Sequence, residues 1–98
     1  VLKDSDLKRA IAEQEFCVYY QPVVSLVTGN ITGFEALIHW QHPQRGLVYP
    51  GEFMDAAEQS GLIVPMGWWL LNEACRQMHY WQKEFPQGIP LRISVKLS

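Results

Sequence analysis

Cysteine is scarce in this sequence, with two in 98 residues, and they form no Cys-x-x-Cys pair. Two thiols make no disulfide framework. Cys17 and Cys75 sit among apolar neighbours and read as reduced core residues, which points to a reducing, cytoplasmic compartment. Charge is thin as well: 18% of residues are charged, and eight basic and ten acidic side chains alternate in sign to a net −2. That balance excludes a basic face for a nucleic-acid polymer and a polybasic membrane patch. Long apolar runs are missing too. Leu62 to Leu71 falls far short of the ~20 residues of a membrane helix, and Pro65 and Gly67 interrupt it. The opening, Val1 to Asp6, is charged and has no apolar core, so it does not read as a signal peptide. No glycine-rich phosphate loop, His-Glu metal motif or Ser/His/Asp set is visible.

What is present is apolar material: 48% hydrophobic and 12% aromatic residues, too much for a disordered chain. The length suits one small domain at most, since domains run to ~100–200 residues. The closing stretch, Leu91-Arg-Ile-Ser-Val-Lys-Leu-Ser98, alternates apolar and polar like a strand in progress. A strand left at an open edge is something natural domains avoid, so residues 1–98 are expected to be the N-terminal portion of something longer, cut inside a strand.

Ser5 or Asp4 can cap a first helix ending near Glu15, with Leu7, Ala10 and Ile11 on one face. Phe16 to Leu26 is aromatic and β-branched, hence a strand, with Pro22 at an edge or non-bonding position. Val27 to Asn30 is a turn, and Ile31 to Gln41 is a second strand. A two-residue loop at Gly29-Asn30 would pair Gln21 with Ile38. A three-residue loop closed by a left-handed Gly29 would set Gln21 opposite Glu35, and this turn is preferred. His42 to Pro50 reads as a loop, and Gly51 to Ser60 as a short helix stopped by Gly61. A longer helix runs from about Pro65 to Phe85. Its apolar stripe is expected through Trp68, Leu71, Ala74, Cys75, Met78 and Trp81 or Gln82, with Asn72, Glu73, Arg76, His79 and Lys83 facing water. A loop from Pro86 to Pro90 leads into the final strand, so the order is α-β-β-α-α-β.

Glu35 is the odd residue of the second strand. Alternation puts Glu35, Leu37, His39 and Gln41 on one face and Phe34, Ala36, Ile38 and Trp40 on the other. A carboxylate in a mostly apolar strand costs several kcal/mol unless paired, protonated or metal-bound. Spacing alone equally allows a solvent-facing edge or an ion pair with a distant lysine. His39 and His42, three apart, point to opposite faces and cannot chelate together.

Tyr20-Gln-Pro-Val-Val-Ser-Leu26, Thr28-Gly-Asn-Ile-Thr-Gly-Phe-Glu-Ala-Leu37 and Trp40-Gln-His-Pro43 with Gly46 resemble the opening of the EAL domain, the bacterial cyclic-di-GMP phosphodiesterase family. The resemblance continues through Pro50-Gly-Glu-Phe53, Ala57-Glu-Gln-Ser-Gly-Leu-Ile63, the Trp-rich helix and Ile93-Ser-Val-Lys-Leu-Ser98. It implies an α/β fold: the first part of a TIM-like barrel with an antiparallel first strand, incomplete here because whole barrels need roughly 250 residues. It also implies cyclic-di-GMP as ligand, and Mg²⁺ or Mn²⁺ that activates water and opens the ring to a linear dinucleotide. Glu35 resembles the signature metal ligand; Gln21 and Leu37 resemble ligand-pocket residues. The resemblance allows flanking sensor or GGDEF-type cyclase domains and a homodimer of the parent domain.

Two positions depart from the family pattern. His39 stands where an arginine grips a phosphate, and neutral imidazole offers one donor in place of a charged fork. Lys96 stands where an asparagine ligates metal, and an ammonium has no lone pair to give. The remaining metal ligands would lie beyond Ser98, so this chain holds no complete catalytic set. A catalytically degenerate member acting in ligand binding or protein interaction is the expectation; an active phosphodiesterase is the alternative.

Overall fold

In the computed structural model, residues 2–85 and 92–96 are described. Strand β2 (Ile31–His42) is the spine. Strand β1 (Phe16–Val24) pairs antiparallel with β2 from Ile31 to Trp40, while β4 (Ile93–Lys96) pairs parallel with Phe34–Leu37 and β3 (Gly46–Val48) antiparallel with Trp40–His42. The helices are α1 (Asp4–Ala12), α2 (Met54–Ser60) and α3 (Ile63–Glu84), with a 3₁₀ turn at Pro50–Glu52. The expected order therefore gains one strand. The segment read as a loop from His42 to Pro50 turns back as β3: His42 Nδ1 lies 3.1 Å from both the Gln44 and Arg45 amides, and Gly46 takes φ +75°. Three residues are too few to show a period. The expected loop from Pro86 to Pro90 and the ends Leu91 and Ser98 lie outside the described residues.

The first hairpin reaches the expected register by a different turn. Gln21 pairs with Glu35, and Gly29 is left-handed at φ +75°. The Ser25 amide donates to the Asn30 carbonyl at 2.9 Å, so four residues, Leu26–Gly29, make the turn rather than three. Ser25 caps it, its hydroxyl accepting from the Val27 and Thr28 amides at 3.2 and 3.3 Å. The register slips where Val23 pairs with Gly33 and Val24 with Ile31. Thr32 is the extra residue, and that bulge restores the pairing the shorter loop would have given. Pro22 lies on β1, an edge strand, where its missing N–H costs least.

One face of the sheet is packed. Phe16, Ala36, Ile38 and Trp40 are buried with Leu7 and Ala10 of α1, Phe53, Ala57 of α2 and Met66, Leu70 and Ala74 of α3. The Phe16, Trp40 and Phe53 rings meet with centroids 5.7–5.9 Å apart, in the tilted and edge-on arrangements aromatic quadrupoles favour. The stripe of α3 is rotated from the expected one: Met66 and Leu70 lie inward, whereas Trp68, Leu71 and Cys75 are exposed. Trp68 and Trp69 are adjacent, so composition could not choose between them; it is Trp69 that packs on Phe16, at 6.2 Å. Cys75 is thus no core residue, and Cys17 is only half-buried. Helix α1 is entered at Lys3, whose amide donates to the Asp6 carboxylate at 2.9 Å, in place of a cap at Asp4 or Ser5. Strand β4 lies close because Gly33 has no side chain: a Cβ there would sit 2.6 Å from the Arg92 carbonyl oxygen. That carbonyl accepts the neighbouring Phe34 amide at 2.8 Å.

Candidate functional site

The other sheet face carries the polar residues. Directly opposed residues of neighbouring strands project to the same side, so register alone assembles rows across the sheet. Gln21, Glu35 and Ser94 form one row; Tyr19, Leu37 and Lys96 form the next; Cys17 and His39 form a third. Successive rows are about 6–7 Å apart along the strands. Sequence alternation had put Glu35, Leu37, His39 and Gln41 together, and the pairing adds Gln21 from one side and Lys96 from the other. Every residue singled out for the site falls on this face. His42, three positions from His39, falls on the packed face and is buried.

His39 is 7% exposed, the most enclosed polar residue of this face. Its ring stacks on Tyr19 at 4.3 Å and 20°, and Tyr49 closes on it edge-on at 5.3 Å. Nδ1 lies 3.3 Å from the Leu37 carbonyl, an acceptor, which places the Nδ1 proton there and leaves Nε2 as a lone pair in the neutral ring. Burial pushes the Cys17 thiol up, only partly offset by its hydrogen bond with Gln41. A raised thiol is a poor nucleophile, so Cys17 is no catalytic candidate.

Among the described residues, Glu35 is the one carboxylate in these rows and Lys96 the one ammonium, in adjacent rows and beyond ion-pair distance of each other. Hard divalent cations take about six or more oxygen ligands. Among the described residues no three of His, Cys, Asp and Glu converge. One carboxylate with an ammonium beside it does not fit a divalent cation by itself.

A second polar cluster escaped sequence reading. Glu15 Oε1 accepts the Trp40 indole N–H at 3.0 Å, and Glu15 Oε2 accepts Arg9 Nε at 3.2 Å. Arg9 also reaches Asp6 Oδ1 at 3.4 Å and lies 3.2 Å from His42 Nε2. Burial acts to raise the Glu15 carboxyl, but the bonds from Trp40 and Arg9 outweigh it and hold it below its ordinary value. This cluster ties α1 to the end of β2 and faces away from the candidate site. Its signal was an Arg and a Glu flanking the helix end, six residues apart, which no local spacing rule links.

The sequence profile of the EAL domain matches residues 4–98. Among curated proteins, the bifunctional diguanylate cyclase/cyclic di-GMP phosphodiesterase MucR of Pseudomonas aeruginosa is 49% identical over 76 residues, covering 78% of this chain and 11% of MucR. The cyclic di-GMP phosphodiesterase PdeR of Escherichia coli is 39% identical over 95 residues, covering 97% of this chain and 14% of PdeR. Among solved structures, the PaMucR phosphodiesterase in its c-di-GMP complex superposes with a TM-score of 0.85 at 44% identity, over 96% of this chain and 37% of that one. The EAL enzyme Bd1971, bound to cAMP and cyclic-di-GMP, gives 0.82 at 34% identity, over 93% and 26%. The chain thus spans a small part of each relative, and its open sheet is part of a TIM-like barrel fold.

Proposed function

Because this chain belongs to the EAL domain family, we propose that it supplies part of the ligand-facing sheet of a cytoplasmic EAL-type domain in cyclic-di-GMP signalling. In this reading the domain is catalytically degenerate and acts by binding the dinucleotide or a protein partner. One observation carries it: Gln21, Glu35, Leu37, His39 and Lys96 lie on one face, and the second charged group there is an ammonium. Glu35 is the metal ligand the family implies, for Mg²⁺ or Mn²⁺, and when bound such an ion would polarise the phosphodiester and activate water. Lys96 opposes that ion. Even at an effective dielectric of ~20, a unit positive charge ~4 Å from a +2 ion costs several kcal/mol. Gln21 and Leu37 would line the ligand pocket; His39 stands where the family pattern has a phosphate-gripping arginine, but in the neutral ring its one donor is spent on the Leu37 carbonyl, so it would offer a phosphate far less than a guanidinium.

The test is hydrolysis and calorimetry on the intact protein. We expect no linear dinucleotide above a Glu35→Ala control with either Mg²⁺ or Mn²⁺, together with measurable binding of cyclic-di-GMP. Lys96→Asn should tighten Mg²⁺ binding, and His39→Arg should tighten the dinucleotide. Metal-dependent hydrolysis by the unmodified protein would favour the second reading, an active phosphodiesterase, which the printed names of MucR and PdeR support.

A further inference from the structure

We propose that α3 pairs antiparallel with α3 of a second copy of this chain, the exposed Trp68 of each copy seated in an apolar hollow at Gly67 of the other. The pairing uses the outer surface of the helix layer and does not depend on what the open sheet face binds.

Helix α3 sends Met66, Leu70 and Ala74 into the core. At about 100° per residue, Trp68 lies roughly 160° around the helix from Leu70, so it points away from the sheet. A helix packed beside α3 on the same sheet would meet its flanks and leave Trp68 outside. Trp68 is 64% exposed, with Val64 at 60% and Leu71 at 42% close by on the same helix. A hollow of about 300 Å³ opens between Ile63, Val64, Gly67, Trp68 and Leu71, and Gly67 adds no side chain to fill it. Knob and hollow thus share one surface. A two-fold axis uses both at once, since each copy then gives and receives the same side chain.

Charge along the chain sets the direction. Residues 52–60 carry three acids and no base, 61–72 have no ionisable side chain, and 74–83 carry Arg76, His79 and Lys83 and no acid. Glu52 is engaged by Arg45 at 3.6 Å and Arg76 by Glu73 at 2.7 Å. Asp55, Glu58 and Lys83 are exposed and take part in no ion pair among the described residues. Both α2 and α3 cover the same sheet face, so their outer surfaces are open to one partner. An antiparallel pair centred on Trp68 brings the basic end of each α3 toward the acidic α2 of the other copy. A parallel pair would set like charge against like. The apolar centre is small: Val64, Trp68 and Leu71 offer roughly 300 Å² per copy, less than half of the ~800 Å² that each side of a standard interface buries. The charged ends supply the rest, which makes the pair weak and salt-sensitive.

Sedimentation equilibrium of the intact protein tests this. We expect a monomer–dimer equilibrium with a dissociation constant of about 10–100 μM that weakens as salt is raised. Trp68→Glu should weaken it about tenfold or more. Its unfolding midpoint, measured at a concentration where the protein is monomeric, should stay that of the parent. Gly67→Leu, which fills the hollow and leaves the indole in place, should weaken the dimer in the same way. Asp55→Lys with Glu58→Lys should loosen it severalfold, and adding His79→Glu and Lys83→Glu to that chain should restore it. A monomer at every concentration, or a dimer indifferent to Trp68→Glu or Gly67→Leu, overturns the proposal. So does a charge reversal that the second reversal fails to repair. A lowered unfolding midpoint for monomeric Trp68→Glu also overturns it, because another part of the same protein then covers the patch.

Discussion

The two faces of β2 are made from alternate residues of the same strand and obey different rules. On one face, Ala36, Ile38 and Trp40 are closed over by three helices and their identity follows from volume. On the other, Glu35, Leu37 and His39 stand beside residues of the neighbouring strands, His39 between Tyr19 and Tyr49, outside the core that the helices close, so their identity is open to chemistry. The difference teaches where to look for function in a small sheet: at the positions whose side chains packing does not dictate.

Substitutions on the two faces can break or sharpen this contrast. The largest effect belongs to Trp40, fully buried and bonded through its indole to Glu15. Trp40→Ala should lose about 3–5 kcal/mol of stability, measured by denaturant unfolding; a loss under 1 kcal/mol would mean the packed face is not the folding core. Acid comes next. Glu15 is held below its ordinary value in the folded chain, so the unfolded chain binds the proton more readily. The stabilisation is therefore complete above the ordinary carboxylate value of about 4 and is lost as pH falls through the folded one. Melting temperature followed downward from pH 6 should drop more steeply for the parent than for Glu15→Gln; parallel curves would show the cluster contributes nothing through charge. The smallest stability effect belongs to the open face. Glu35→Ala should change unfolding free energy by no more than about 0.5 kcal/mol, a range typical of surface positions. A loss of several kcal/mol there would reveal a structural carboxylate and dissolve the contrast.

The open face was largely legible in the sequence because period-two alternation is strict, and one carboxylate among apolar residues stands out. The pairing of Gln21 with Glu35 was legible as well, although the turn that produces it was not: a four-residue loop with a bulge at Thr32 gives the same register as the shorter loop. The packed side was harder to read. The expected stripe of α3 runs through Trp68, one residue out of phase, because two adjacent tryptophans fit a helical period equally well and only contact with Phe16 selects Trp69. Strand β3 depends on His42 reaching two amides of its own turn, a tertiary detail that a three-residue strand does not advertise.

The seat at Gly33 also sets an order in time. Strands β1 and β2 are joined by a tight turn and can pair as soon as both have left the ribosome, whereas β4 must return across two helices to reach the notch beside Gly33. Closing so long a loop is the slower step, because its entropy is spent before any contact repays it. Glu35 and Gln21 therefore stand in place early, facing solvent. The row that ends in Lys96 is completed only after residue 96 has been synthesised, so the nascent hairpin displays a carboxylate with no ammonium beside it.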